Sequence, residues 1–565
     1  MRQRPRLARV VASTAGLTMA AGCLVVVPAS GAVDPALAKY YQQKVQWAPC
    51  DPGTPPPGVP PEEWQKEWAG LDCATIVVPM NYRKPGDGDL SVAISRRKAA
   101  DPAHRQGVLL LNPGGPGGPG LMMPNWMQQE KIAGPFDLIG FDPRGTGRST
   151  PLRCELPPTE PLFETRPTDK QFAQIEADAE AQEKGCAAAG GGIRKFISTA
   201  NTARDMDIIR GVLAEKKINF LGYSYGTYLG AVYGSLFPSK LNRSVLDSSM
   251  HPDWLYYEQA KEVSISAKEN FEALAQWLAE RDSRYHFGKT LAEVTATMEA
   301  LRAKLAVHPV DWPVPGAGTP VDGIFFDIIL GGSGYRPIWG LAGDLLGLIR
   351  DAANAPAGKR ALSNDAGRAL KILYGTVKET YDGVFPAVTC EAAWPKDPKI
   401  YEEQLRLFRE KYPYGSGAMQ AGPTNCSYAK WKPQEKLVEL KRKGYPIGLV
   451  IGAEFDPATQ YDGSPAMAAA LGNQLISVRD EGSHGQYGGN PCATEKINDY
   501  LINGILPGSR VECDGAPRPD VPADGTPGAK TATRATGSLA TQAAAIVATL
   551  GPIARHTAHG LTKQS

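Results

Sequence analysis

Ser224 stands in Gly222-Tyr223-Ser224-Tyr225-Gly226, a G-x-S-x-G segment. An apolar run, Ile218 to Leu221, precedes it, and a helical pattern, Tyr225 to Phe237, follows. Strand, tight turn and helix in that order put a serine hydroxyl at the rim of a sheet and at the positive end of a helix, where it can act as a nucleophile. Glycines flank it because a Cβ would crowd the backbone where strand and helix nearly touch. A hydroxyl attacks poorly unless a base takes its proton and an acid orients that base. In strand–turn–helix sites of this kind the chain order is serine, carboxylate, histidine. Of the histidines after Ser224, only His484 follows a resumed strand-like run, in Asp480-Glu481-Gly482-Ser483-His484-Gly485. The run before it, Ile447 to Ile451, leads into Gly452-Ala453-Glu454-Phe455-Asp456-Pro457 and offers two carboxylates. Asp456 is preferred to Glu454 because Pro457 favours an extended, loop-presented conformation for the residue before it. Singly, each feature has a plain explanation: chance in a chain of 61 glycines, an Asp-Pro turn, a surface histidine. Their joint order at strand ends carries the expectation of a Ser224–His484–Asp456 relay.

Acyl chemistry also needs donors for the oxyanion. The run Gly107 to Leu111 enters Asn112-Pro113-Gly114-Gly115-Pro116-Gly117-Gly118-Pro119-Gly120. Such a loop can aim a backbone N–H at the serine, and Gly115 is the expected donor; Tyr225, the residue after the serine, supplies the other. The same loop fits a dinucleotide fingerprint at Gly115, Gly117 and Gly120, with Asp142 at a later strand end. Pro116, Pro119 and Pro124 argue against a nucleotide, since they remove N–H groups and spoil the helix a pyrophosphate would need.

Positioning these groups takes a sheet with helices on both faces. Strand-like runs lie at Ala74 to Met80, Leu90 to Arg96, Gly107 to Leu111, Phe136 to Phe141, Ile218 to Leu221 and Ser244 to Asp247. Helical patterns such as Ala203 to Leu213 separate the later ones, which implies a mostly parallel α/β sheet. The rhythm breaks after Asp247. Ser264 to Arg281 and Thr290 to Val307 read as long amphipathic helices, and the strands resume only at Ile447 to Ile451 and Gln474 to Val478, with a last helix near Thr494 to Ile505. One α/β unit is thus interrupted by a helical insertion. The expected division is 1–32 an export signal, 33–250 and 433–514 the two parts of the α/β core, 251–432 the helical cap, and 515–565 a loose tail rich in Pro, Gly, Ala and Thr.

Composition agrees with an exported globular protein. Four arginines precede an apolar stretch, Val10 to Val27, and Ser30-Gly31-Ala32 offers small residues for cleavage. A membrane anchor is disfavoured by Ser13, Thr14, Gly16 and Thr18, and lipid attachment at Cys23 by the apolar run beyond it. No other segment reads as spanning a membrane. Net charge is +2, so there is no electrostatic footprint for nucleic acid. Eight of the nine cysteines follow the signal. Eight allow 105 pairings. The most economical set joins neighbours: Cys50–Cys73, Cys154–Cys186, Cys390–Cys426 and Cys492–Cys513. No cysteines show zinc spacing, His556 and His559 are only two ligands, and no cofactor or metal is expected.

Pro113-Gly114-Gly115-Pro116-Gly117 resembles the HGGPG loop of proline iminopeptidases, with Pro113 where that family has histidine. Asp142-Pro143-Arg144-Gly145-Thr146-Gly147-Arg148-Ser149 resembles their D-x-R-G-x-G-x-S segment. Together with the GYSYGT turn and the export signal, the chain most resembles secreted bacterial tripeptidyl aminopeptidases of the α/β-hydrolase fold. The resemblance covers the two core parts well and the insertion poorly. It implies a serine exopeptidase that acts on peptide substrates with a free N-terminus and forms an acyl-enzyme on Ser224. It also implies a cap carboxylate for the substrate's ammonium. Glu258, Glu262 and Glu391 are candidates, and Glu391 is preferred because it follows Cys390. A carboxylesterase or lipase on the same scaffold, or a binding protein that kept the fold, are the alternatives; oligomeric state is left open.

Overall fold

Successive side chains along Val108–Asn112, all buried, pack on alternate faces of the sheet. Leu110 packs on one face with Met206, Ile209 and Leu229, while Leu109 and Leu111 pack on the other with Met123 and Ile497. Both faces being covered, the strand is apolar from Val108 to Leu111 and buried to its end at Asn112. The computed structural model describes residues 35–55, 59–155, 161–190, 192–312, 320–374, 383–526 and 537–552. The export signal, Cys23, His556 and His559 lie outside these residues.

Ten strands among the described residues form one sheet. They are β1 (Ala48–Pro49), β2 (Asp72–Pro79), β3 (Asp89–Arg97), β4 (Val108–Asn112), β5 (Asp137–Phe141), β6 (Ile218–Tyr223), β7 (Leu241–Asp247), β8 (Leu449–Ala453), β9 (Gln474–Arg479) and β10 (Arg510–Asp514). The order is β1-β2-β3-β5-β4-β6-β7-β8-β9-β10. Pairing is antiparallel as far as β3–β5 and parallel from there to β10. The chain therefore has the mostly parallel sheet of an α/β-hydrolase. Two strands escape the hydrophobic pattern. β1 has only two residues, and β10 is a polar edge strand, Arg-Val-Glu-Cys-Asp, largely exposed.

Between β7 and β8 the described chain is largely helical. Tyr257–Ala279, Leu291–Val307, Gly323–Gly331, Trp339–Ala353 and Asn364–Tyr374 enclose a separate apolar core that includes Trp277, Met298, Phe326 and Trp339. The tail departs from its expected looseness. Residues 515–526 are tied to the insertion, with Asp524 accepting from the Ser283 N–H at 2.9 Å and the Val521 carbonyl accepting from Arg281 at 2.7 Å. Leu539–Val547 is a helix capped by Ser538, and its buried Ala543 belongs to the insertion's core. Alanine is the strongest helix former, so an Ala-rich stretch with Leu539, Ile546 and Val547 on its apolar side packs despite a composition that resembles a linker. All four neighbour disulfides are present, Cys50–Cys73, Cys154–Cys186, Cys390–Cys426 and Cys492–Cys513.

Candidate active site

The turn at Ser224 is as tight as the glycines imply. A Cβ on Gly222 would lie 2.6 Å from the Gly226 carbonyl oxygen, and one on Gly226 would lie 2.6 Å from Asn112 Oδ1. Ser224 itself takes φ 56° and ψ −129°, a region that non-glycine residues avoid. The helix Tyr225–Leu236 starts at the next residue, so the serine sits at its N-terminus.

Asp456 and His484 are brought together by the loops after β8 and β9. His484 Nδ1 is 2.9 Å from both Asp456 carboxylate oxygens. Asp456 is fully buried. Oδ1 also accepts the N–H groups of Ala458 and Thr459, each at 2.9 Å, which fixes the carboxylate. The insertion braces the same loop: Ser266 donates to the Asp456 carbonyl and Asn270 to that of Phe455, both at 2.9 Å. Glu454 instead accepts the Asp480 N–H at 2.8 Å. Burial alone would push the His484 imidazole down; the charge and hydrogen bond of Asp456, helped by the charge of Asp247, more than offset it and hold it above its ordinary value.

Among the described residues no hydrogen bond joins Ser224 to His484, and catalytic contacts of this kind often tighten only when substrate binds. The frame that couples the two is Asp247, at the end of β7. Its carbonyl oxygen accepts the Ser224 N–H at 3.0 Å. Its carboxylate accepts the N–H groups of Gln486, at 3.0 Å, and Tyr487, at 2.7 Å, just beyond His484. Next to it, Ser248 Oγ accepts the Gly485 N–H at 2.8 Å. Burial pushes the Asp247 carboxyl up to about 6, against the N–H donors that pull it down. Sequence reasoning missed Asp247. The available signal was an acid directly after the apolar pair Val245-Leu246 at a strand end.

The glycine loop abuts the serine. A Cβ on Gly114 would lie 2.9 Å from Ser224 Cβ and 3.2 Å from the Tyr225 nitrogen, so only glycine fits there. Gly115 lines the same cavity as Ser224. Asp142, the decoy's acid, fastens this loop by accepting the Gly120 N–H at 2.9 Å and the Arg148 N–H at 2.8 Å. Its carboxylate is spent on the protein's own backbone.

The cavity beside Ser224 has a volume of about 370 Å³, within the usual range for a small ligand. Thr459 lines it and touches both other groups, with its hydroxyl 3.2 Å from Asp456 Oδ2 and 3.4 Å from His484 Nδ1. The opposite wall comes from the insertion and from the helix Phe172–Ala189. Among the described residues that line it, none carries a formal charge.

Glu391 is not brought to this cavity. Its carboxylate accepts the Thr199 N–H at 2.5 Å and the Thr199 hydroxyl at 3.1 Å, at the start of the helix Thr199–Val212, and it lines a separate cleft. Burial pushes it up to about 8, so at neutral pH it is mostly uncharged and a poor partner for an ammonium. Glu258 pairs with Lys261 at 2.7 Å. Neither Glu258 nor Glu262 lines the cavity; Gln259, Ala260 and Val263 of the same helix do.

Residues 412–513, which include Asp456 and His484, match the family described as TAP-like protein. The chain is 34% identical over 494 residues to the tripeptidyl aminopeptidase of Streptomyces lividans, covering 82% of this chain and 88% of that protein. It is 27% identical over 540 residues to the serine protease Hip1 of Mycobacterium tuberculosis, with 90% and 99% covered. It is 29% identical over 477 residues to carboxylesterase B of the same species, with 78% and 86% covered. The sheet, the serine turn and the relatedness over most of its length make this chain a member of the tripeptidyl aminopeptidase family of α/β-hydrolase serine peptidases.

Proposed function

We propose that this protein is a secreted serine exopeptidase that removes tripeptides from the free N-termini of peptides. The observation that carries this is the contact of His484 with the fully buried Asp456 carboxylate, at 2.9 Å, beside the cavity that Ser224 lines. His484 takes the Ser224 proton as Oγ attacks the scissile carbonyl. The N–H groups of Tyr225 and Gly115 receive the oxyanion. The tetrahedral species collapses as His484 protonates the departing amine, which leaves an acyl-enzyme. Water, deprotonated by His484, then releases the N-terminal fragment. Asp456 holds the imidazole in the tautomer that presents its other nitrogen and stabilises its positive charge. Export is supported by four disulfides, which persist in oxidising compartments.

Mass spectrometry of the products from one unblocked peptide tests the reading; fragments other than N-terminal tripeptides overturn it. A second reading, hydrolysis of uncharged esters, is favoured by a cavity wall that carries no carboxylate among the described residues. Comparing a tripeptide anilide with its N-acetylated form separates the two. Equal rates point to the ester hydrolase, and a preference for the free amine to the aminopeptidase.

A further inference from the structure

The polar side chains on the wall of the Ser224 cavity fall into two groups. Most are already engaged. Gln259 donates to the Ala458 carbonyl at 3.0 Å and to Gln460 at 2.8 Å. Asn425 donates to the Pro386 carbonyl at 3.0 Å, and the Thr389 hydroxyl to the Phe385 carbonyl at 2.8 Å. Tyr256 also lines the cavity, with a buried hydroxyl that has no hydrogen-bond partner among the described residues. Gln182 and Gln420 are the carboxamides left unengaged. Both are half-buried on this wall, and among the described residues neither carboxamide has a hydrogen-bond partner. They come from separate elements, the helix Phe172–Ala189 and the short turn Gly417–Ala421.

We propose that Gln182 and Gln420 pair with the backbone of the substrate's acyl fragment, and that this cavity accepts a peptide segment whose side chains are uncharged. The proposal rests on the peptidase reading above and names the substrate class of that site. A carboxamide offers one acceptor and two donors, which match the N–H and C=O of a peptide group. An alkyl chain in the same place would strip water from both carboxamides and return nothing, a penalty of about tenfold or more for each in binding. The rest of the wall is apolar where Val263, Phe385, Trp394 and Met419 line it. Among the described residues no charged side chain lines this cavity, and two carboxylates near it are engaged: Glu183 is bonded by Arg194 at 2.9 and 2.6 Å, and Glu391 by Thr199. A lysine or glutamate side chain placed here would therefore lose its water without gaining a counter-charge.

The test uses the full-length enzyme and four tripeptidyl p-nitroanilides, with Ala, Leu, Lys or Glu as the residue whose carbonyl is attacked, plus p-nitrophenyl acetate as a reference without a peptide group. Gln182→Met and Gln420→Met keep side-chain length and remove the amide. Each is expected to raise KM for the alanyl and leucyl anilides about three- to tenfold, with a smaller change in kcat, and so to lower the anilide-to-acetate ratio of kcat/KM. The lysyl and glutamyl anilides are expected to be cleaved at least about 100-fold less efficiently than the leucyl one. Alanine variants and thermal midpoints identify any fold defect, which would lower both substrate classes together. An unmoved ratio, or charged substrates cleaved within threefold of the leucyl one, overturns the proposal while leaving the peptidase intact. Turnover of the acetate with none of the anilides overturns the peptidase reading and this proposal with it.

Discussion

The N–H of Ser224 and the carbonyl oxygen of Asp247 are hydrogen-bonded at 3.0 Å, and the side chain of that same aspartate holds the backbone that follows His484. One residue at the end of β7 thus sets the register between the serine turn and the histidine loop. Replacing it leaves two buried N–H groups unpaired and frees the loop. Asp247→Ala is expected to lower kcat/KM about 100-fold, the scale of a 1 Å misplacement. Asp247→Asn, which keeps an acceptor oxygen, should lose less. Steady-state kinetics with a thermal melt checks this, and an alanine variant within twofold of wild type would show that the loop is held by other contacts.

Ser224→Ala is expected to reduce turnover by about 10⁴-fold or more while the fold is kept. The same variant should not be labelled by an active-serine fluorophosphonate that labels the wild type. Undiminished turnover would refute the role given to Ser224.

The pH dependence follows from the surroundings of His484. Because the net effect of burial, Asp456 and Asp247 raises its pKa above the ordinary value, the imidazole becomes protonated at a higher pH than a free histidine. Protonated, it cannot act as a base. kcat/KM is therefore expected to fall on acidification through a midpoint above about 6.5. Asp456→Asn removes the larger of the two charges and should move that limb to lower pH, along with a loss in kcat of about 10⁴-fold. A profile flat down to about pH 5 would rule out His484 as the base.

Glu391 gives a stability signature that is independent of catalysis. Its folded value of about 8 is above its unfolded one, so the native state holds an extra proton between the two. Stability from this group is present at low pH and lost as pH rises through that window, with a slope approaching about 1.4 kcal/mol per pH unit. Glu391→Gln should flatten that slope and leave the rate ratio between a tripeptide anilide and its N-acetylated form unchanged. Urea unfolding at pH 6 and pH 9 measures it; a variant that loses selectivity for the free amine would return Glu391 to the substrate site.

The three residues proposed as the catalytic set could be picked out because each sits in a local signature: Ser224 between two glycines, Asp456 before a proline at a strand end, His484 in a glycine-flanked loop. The eight strands with apolar runs were readable for the same reason. β10 was not, because a polar edge strand buries little and is held instead by pairing with β9 and by the Cys492–Cys513 bridge. Asp247 was hidden because its partners are backbone groups some 240 residues away, which no spacing rule links. Glu391 drew attention as a cap carboxylate, but a helix start claimed it first. Whether Gln182 and Gln420 are engaged depends on packing between distant elements, and amide composition alone says nothing of that.

Ala543 closes the apolar interior of a helical body whose first helix begins at Tyr257. The interior of that body therefore cannot close until the segment Leu539–Val547 has been made. The helix that supplies Gln259, Ala260 and Val263 to the cavity beside Ser224 is thus packed, along its later turns, in a core that a segment following every strand of the sheet helps to fill.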